Sequence, residues 1–177
     1  WLSRKKWLGG ITNFKTGRIV SRPLGEILEP VTEQLDDFRD YLVARRAVEL
    51  HERDIQTGIR DQDARWTVDR LEELFGDRFR EAAEGVYEWQ DGLLKHIRDA
   101  GVISRDTYEA IKEVNQAYVP FYRAIGDVGG GGRLGLGFGH LFSPVKRIRG
   151  SGHDLIDPLE SMMKNAYIYS HLASKQQ

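Results

Sequence analysis

Apolar side chains recur every three or four residues along most of this chain, with polar and charged residues between them. Leu24, Leu28, Val31, Leu35, Phe38 and Leu42 step by four and three, which places them on one face of a helix and fits no strand, whose faces alternate by two. Pro30 either opens that helix as a first-turn residue or kinks it, because a proline deeper inside removes a backbone bond and clashes with the turn before it. The pattern predicts helix over 24–56, with Thr57-Gly58 as its stop. Asp63 is placed to cap a second helix, 63–75, in which Ala64, Val68, Leu71 and Phe75 share a face, and Gly76 breaks or bends the chain before Asp77. Phe79, Ala82, Val86, Trp89, Leu93 and Ile97 then repeat at three or four over 77–100, the best-patterned segment, closed by Gly101. Ser104 precedes a helix over 104–118 that aligns Tyr108, Ile111, Asn115 and Tyr118, and Pro120 disfavours helical geometry at Val119.

Periodicity then disappears. Ten of the 27 residues from 126 to 152 are Gly, four of them consecutive at 129–132, which predicts a flexible or multiply turned loop. Asp157-Pro158-Leu159-Glu160 restarts a helix over 157–174, with an N-cap acid, a first-turn proline and a Glu that closes a capping box. Its inner face is Leu159, Met162 or Met163, Ala166, and Tyr169 or Ser170. At the other end, Ile11 to Phe14 and Arg18 to Val20 around Lys15-Thr16-Gly17 are compatible with a small hairpin. The expected fold is therefore mainly α: an irregular multi-helix bundle with a Gly-rich loop and a possible small N-terminal hairpin.

At 177 residues the chain is one domain long and can bury a real core without metal or disulfide. Its 40% hydrophobic and 30% charged positions are those of a globular chain. With no cysteine there is no disulfide, thiolate nucleophile or cysteine-held metal or iron–sulfur centre. No run of apolar residues is long enough to span a membrane, and no apolar run follows the basic start at Trp1–Lys6, so neither a spanning helix nor a secretory signal is expected. A start without Met and an end inside a helical pattern suggest one helical module, 1–177, cut from a larger protein.

The net charge of -1 conceals an asymmetry. Residues 1–25 hold six Lys/Arg and no acid, 26–127 hold 14 against 24 Asp/Glu, 128–153 hold four and none, and 154–177 hold two against three. This divides the module into a basic extension (1–23), an acidic helical body (24–125), a Gly-rich basic loop (126–154) and a C-terminal helix (155–177). Opposite charges in one chain most simply neutralise each other, and an external anionic partner is the alternative.

Candidate chemistry is sparse. Residues 130–135 satisfy G-x-G-x-x-G formally, but no strand precedes them, no helix opens at the third glycine, and no P-loop is present, so no nucleotide is expected. His51-Glu52 is not H-E-x-x-H, and no two of His51, His96, His140, His153 and His171 are three or four apart, so no metal or other cofactor is expected. His153-Asp154 are adjacent and do not normally face one another, and no nucleophile is marked beside them. The acid pairs Glu84/Glu88, Asp36/Asp40 and Asp69/Glu73 lie four apart, as a dyad would, but interleaved arginines favour solvated faces. Arg39, Arg45, Arg46 and Arg53 read as surface pairs. The densest basic cluster, Lys146, Arg147 and Arg149 with Arg133 upstream, is the candidate anion or nucleic-acid contact, with Phe138 and Phe142 available to stack on bases. Tyr118, Phe121 and Tyr122 around Pro120 are candidate packing anchors for the loop.

Three stretches in order are Tyr41-Leu42-Val43-Ala44-Arg45-Arg46-Ala47-Val48-Glu49-Leu50, Tyr118-Val119-Pro120-Phe121-Tyr122-Arg123 and Asp157-Pro158-Leu159-Glu160-Ser161. Together they resemble a helical segment of very large multidomain phage and prophage proteins, the large polyvalent proteins, which accompany virion or DNA-ejection functions. The resemblance runs from about Leu24 to the C-terminus, and Tyr-Val-Pro-Phe-Tyr-Arg after Gly101-Val-Ile-Ser104 is its most specific piece. It implies a setting, the virion or the host cytoplasm, and carries no catalytic residue onto this chain. The expected function is a non-enzymatic structural or interaction module whose partners are other domains of the same large protein or other virion proteins. A nucleic-acid-binding accessory module using the basic segments is the alternative, and an enzyme fragment completed by residues elsewhere is a third reading.

Overall fold

A computed structural model describes residues 10–13, 15–113 and 158–175, and these form an irregular bundle that is mainly α-helical. In chain order the helices are α1 (Leu24–Leu28), a 3-10 helix (Glu29–Gln34), α2 (Leu35–His51), α3 (Asp61–Phe75), α4 (Asp77–Asp99), α5 (Arg105–Glu113) and α6 (Pro158–Lys175). None of the helices among the described residues is long and apolar enough to cross a membrane.

The expected single helix over 24–56 is three pieces, and it stops at His51. Pro30 sits in the first turn of the 3-10 helix, where its missing N–H leaves no α-helical bond unmade. Downstream, Asp54 takes a left-handed φ of 56°, a conformation that short polar residues tolerate better than most. Ile55 N–H then closes onto Leu50 O at 2.9 Å. The Gly58 expected to stop the helix is left-handed too, at φ 81°, but lies in the following loop. That loop is held by the buried Thr57, whose hydroxyl meets His51 Nε2 at 3.1 Å and receives Ile59 N–H at 3.2 Å.

α3 begins at Asp61, two residues ahead of expectation, with Arg60 at the cap position and no side-chain cap. Asp63 does not cap it; its carboxylate takes Arg60 Nε at 2.7 Å and Nη2 at 3.1 Å. Gly76 both ends α3 and precedes α4, at φ 57° and ψ -139°, a region open to little but glycine. Gly101 (φ 80°) follows α4, and Ser104 Oγ accepts Thr107 N–H at 3.0 Å as a cap for α5.

The core is built around α4, which packs against every other helix among the described residues. Phe79, Ala82, Val86, Trp89, Leu93 and Ile97 are all buried, as their spacing predicts. Gly85 lets α1 approach closely, since a Cβ there would lie 2.8 Å from Ile27. Phe79 anchors an aromatic cluster, stacked on Phe75 at 4.4 Å and edge-on to Phe38 at 5.3 Å. On α6 the alternatives resolve as Met162 and Tyr169 inward, while Met163 and Ser170 are exposed.

The small hairpin forms as one antiparallel bridge, Thr12 with Ile19, flanked by Val20 N–H to Ile11 O at 2.7 Å. Asn13 Oδ1 accepts Lys15 and Thr16 N–H across its turn. It is pinned to the end of α4 by His96 Nδ1–H donating to Thr12 O at 2.7 Å and by Asn13 Nδ2 donating to Asp99 at 2.5 Å.

α5 is latched to α4 through Asp91. Its carboxylate accepts the Tyr108 hydroxyl at 2.7 Å and Lys95 Nζ at 2.6 Å, with Lys112 Nζ 3.7 Å away. Burial pushes the Asp91 carboxyl up, but the bonds from Lys95 and Tyr108 outweigh it and leave it below its ordinary 3.8. A depressed folded value contributes stability above pH 3.8 that is lost as pH falls through the native value. Asp91→Asn is therefore expected to lower stability at pH 7 by at most about 1 kcal/mol after solvent screening, with the difference smaller at pH 3. Urea titrations of both proteins at the two pH values measure it.

Candidate functional site

α2, α3 and α4 enclose a cleft of about 400 Å³. Arg45, Val48 and Glu49 reach it from α2, Glu52 from the turn after it, Arg65, Val68 and Asp69 from α3, and Tyr87 from α4. Tyr41 and Arg45 are one helical turn apart, so their side chains meet. The Arg45 guanidinium lies 5.7 Å from the Tyr41 ring centre and 5.5 Å from that of Tyr87, a cation held between two aromatic faces.

The Tyr41 hydroxyl donates to Glu72 Oε1 at 2.6 Å, and Arg80 Nη1 reaches Glu72 Oε2 at 3.2 Å while also pairing with Asp77. This ties α2, α3 and α4 together beside the cleft. Burial and the bond to Glu72 push the Tyr41 hydroxyl well above its ordinary value. Burial raises the Tyr87 hydroxyl to about 12, against the lowering effect of Arg45. Burial lowers the proton affinity of Arg45, but the neighbouring Tyr87 and Tyr41 more than compensate. At neutral pH the inner cleft thus holds one fixed cation and two neutral phenols.

The reading of Arg45 and Arg46 as surface pairs is corrected here. Arg46 is 1% exposed and bonds Glu49 from inside the bundle, and Arg45 is stacked as described. The signal for Arg46 was present: Leu42, Arg46 and Leu50 follow at i, i+4 and i+8 along the buried stripe of α2. Arg39 does form the surface pair, with Asp36 at 2.5 Å.

The remaining candidates are structural or solvent-facing. His51 Nε2–H donates to Ile59 O at 2.7 Å, His96 pins the hairpin, and the exposed His171 stacks on Tyr167 with ring centres 6.4 Å apart. Glu84/Glu88, Asp36/Asp40 and Asp69/Glu73 are all exposed, and Glu73 is paired with Arg70 at 2.9 Å. The Asp40 carboxyl is raised by partial burial and by Asp37 and Asp36. Among the described residues no three His, Asp or Glu side chains gather as a metal site requires. Arg133, Lys146, Arg147, Arg149, Tyr118, Phe121 and Tyr122, with His140 and His153, lie outside the described residues.

Compared with protein-family models, curated proteins and solved structures, the chain matches none of them significantly.

Proposed function

We propose that the chain is a non-enzymatic structural and interaction module of a large multidomain phage-encoded protein, associated with the virion or with DNA ejection. The observation that carries the interaction role is the outer face of α3. Its inner face, Ala64 and Leu71, is in the core, yet Trp66 on the opposite side and Leu74 on the flank are 66% and 53% exposed. An exposed tryptophan offers large, rigid contact area at low entropic cost, and such residues are enriched where proteins meet. Around it several charged side chains of α3 are committed to one another or to near neighbours, Arg65 to Asp61 and Glu52, and Arg70 to Glu73. Charges neutralised in this way suit a surface that is covered by another protein. The phage setting is supported by the resemblance of the three quoted stretches. Of these, Tyr41–Leu50 forms most of α2, and Pro158–Ser161 opens α6.

Mass spectrometry of purified particles, after induction of the element that encodes the chain, tests this reading, with its peptides expected in the particle fraction. A single-stranded DNA titration against salt tests the competing one. Submicromolar binding that weakens steeply with salt, and that Lys146→Ala, Arg147→Ala and Arg149→Ala together abolish, would replace the structural module by a nucleic-acid-binding one.

A further inference from the structure

Two donors in the cleft between α2, α3 and α4 have nothing to donate to. Arg45 Nη1 and the Tyr87 hydroxyl are both shut off from water without a hydrogen-bond partner, and both side chains line the cleft. A buried polar group left unpaired is costly, more so when charged, so native proteins keep few of them and each calls for a missing partner. Here the two are neighbours, because the guanidinium packs on the very ring that carries the hydroxyl.

The chemistry of that partner follows from the donors. The guanidinium lies over the Tyr41 and Tyr87 rings and bonds the Tyr41 hydroxyl, which leaves the N–H group at Nη1 for an acceptor. Tyr87, with its hydroxyl pushed up to about 12, stays protonated and also donates. A cationic planar donor beside a neutral hydroxyl matches a carboxylate.

The rest of the cleft restricts which carboxylates fit. Arg65 is engaged by Asp61 and Glu52, and Glu49 is paired with Arg46. Asp69 remains as an exposed acid with no ion-pair partner among the described residues. Such a rim repels phosphates and other polyanions and attracts a cation. The volume, about 400 Å³, lies in the range of small-molecule sites.

We propose that this cleft binds a small zwitterion of the amino-acid class, its carboxylate on Arg45 and Tyr87 and its ammonium facing Asp69. The donors lie just beneath the cleft wall, so the ligand enters as the Arg45 side chain turns outward, exchanging its contact with the two rings for the ligand's carboxylate. This site borders the Trp66 surface of α3 through Arg65 and Asp69 but does not depend on the phage setting.

The test is calorimetric titration of the whole chain with glycine, 4-aminobutanoate and 6-aminohexanoate, and with acetate, ethylammonium and inorganic phosphate as single-charge controls. At least one amino acid should bind with a millimolar or tighter Kd, about tenfold or more below that of acetate or ethylammonium, and phosphate should not bind. Tyr87→Phe should weaken that binding about five- to tenfold while holding or raising the thermal midpoint of the free protein, since it removes an orphaned hydroxyl. Asp69→Asn should weaken the amino acid and leave acetate unchanged. Acetate binding as tightly as every amino acid would overturn the zwitterion assignment. Absence of binding by any probe, or a Tyr87→Phe protein that melts earlier and binds as before, would overturn the site.

Discussion

Trp89→Ala should destabilise the protein by about 3–5 kcal/mol, a large share of the roughly 5–15 kcal/mol that holds a domain together. The indole is 1% exposed and belongs to the core cluster on α4, the helix against which every other described helix packs. Removing it forfeits the transfer free energy of the buried indole and leaves a cavity that the flanking side chains fill only in part. Trp66→Ala makes the same chemical change on α3, where the indole is 66% exposed, and should stay within about 0.5 kcal/mol of the parent. Urea unfolding followed by circular dichroism compares the two at equal slope. A Trp89→Ala protein within 1 kcal/mol of the parent would mean that α4 does not close the core at that level.

The contrast between those tryptophans was legible before any coordinates. Trp89 falls in the three-and-four stepping from Phe79 to Ile97, and Trp66 falls off the Ala64–Phe75 face. Periodicity succeeds there because each helix buries one stripe, and burial is what the pattern records. Boundaries were less legible, since they depend on single residues whose alternatives are nearly equal in energy. Gly58 is the better left-handed stop by type, yet Asp54 takes that conformation first, once Thr57 and His51 clasp the loop. Asp63 has the composition of a cap, but Arg60 stands within reach and takes its carboxylate.

The cleft was illegible for a different reason. Arg45, Asp69 and Tyr87 come from three helices, and only packing brings them to one cavity. A scan for basic density selects Lys146, Arg147 and Arg149, because it counts charges without knowing which are buried. It passes over Arg45, a single cation whose interest lies in an unpaired N–H. Arg46 is the intermediate case: its position on the Leu42–Leu50 stripe indicated burial, and its residue type argued for the surface.

That conflict makes Arg46 the second large-effect position. Its side chain is 1% exposed against 16% for Glu49, its ion-pair partner one turn along α2. Withdrawing both charges from water costs several kcal/mol, which their attraction repays only in good geometry, so the pair contributes little net stability compared with apolar residues of similar size. Removing one partner is another matter, because the other charge stays behind. Arg46→Ala should therefore cost about 3–5 kcal/mol, through the lost aliphatic packing and the loss of the buried guanidinium's pairing with Glu49. Arg46→Met combined with Glu49→Gln keeps the volume and removes both charges, and should fall within about 1 kcal/mol of the parent or above it. Urea unfolding of these variants, extended to the full double-substitution cycle, gives the coupling directly. It should exceed the few tenths of a kcal/mol expected for an exposed helical pair such as Arg70 and Glu73. It should also change little between low and high salt, because counterions do not reach a guanidinium enclosed by Leu42, Leu50 and the rest of the core. A coupling that salt erases would place Arg46 in solvent and restore the surface-pair reading.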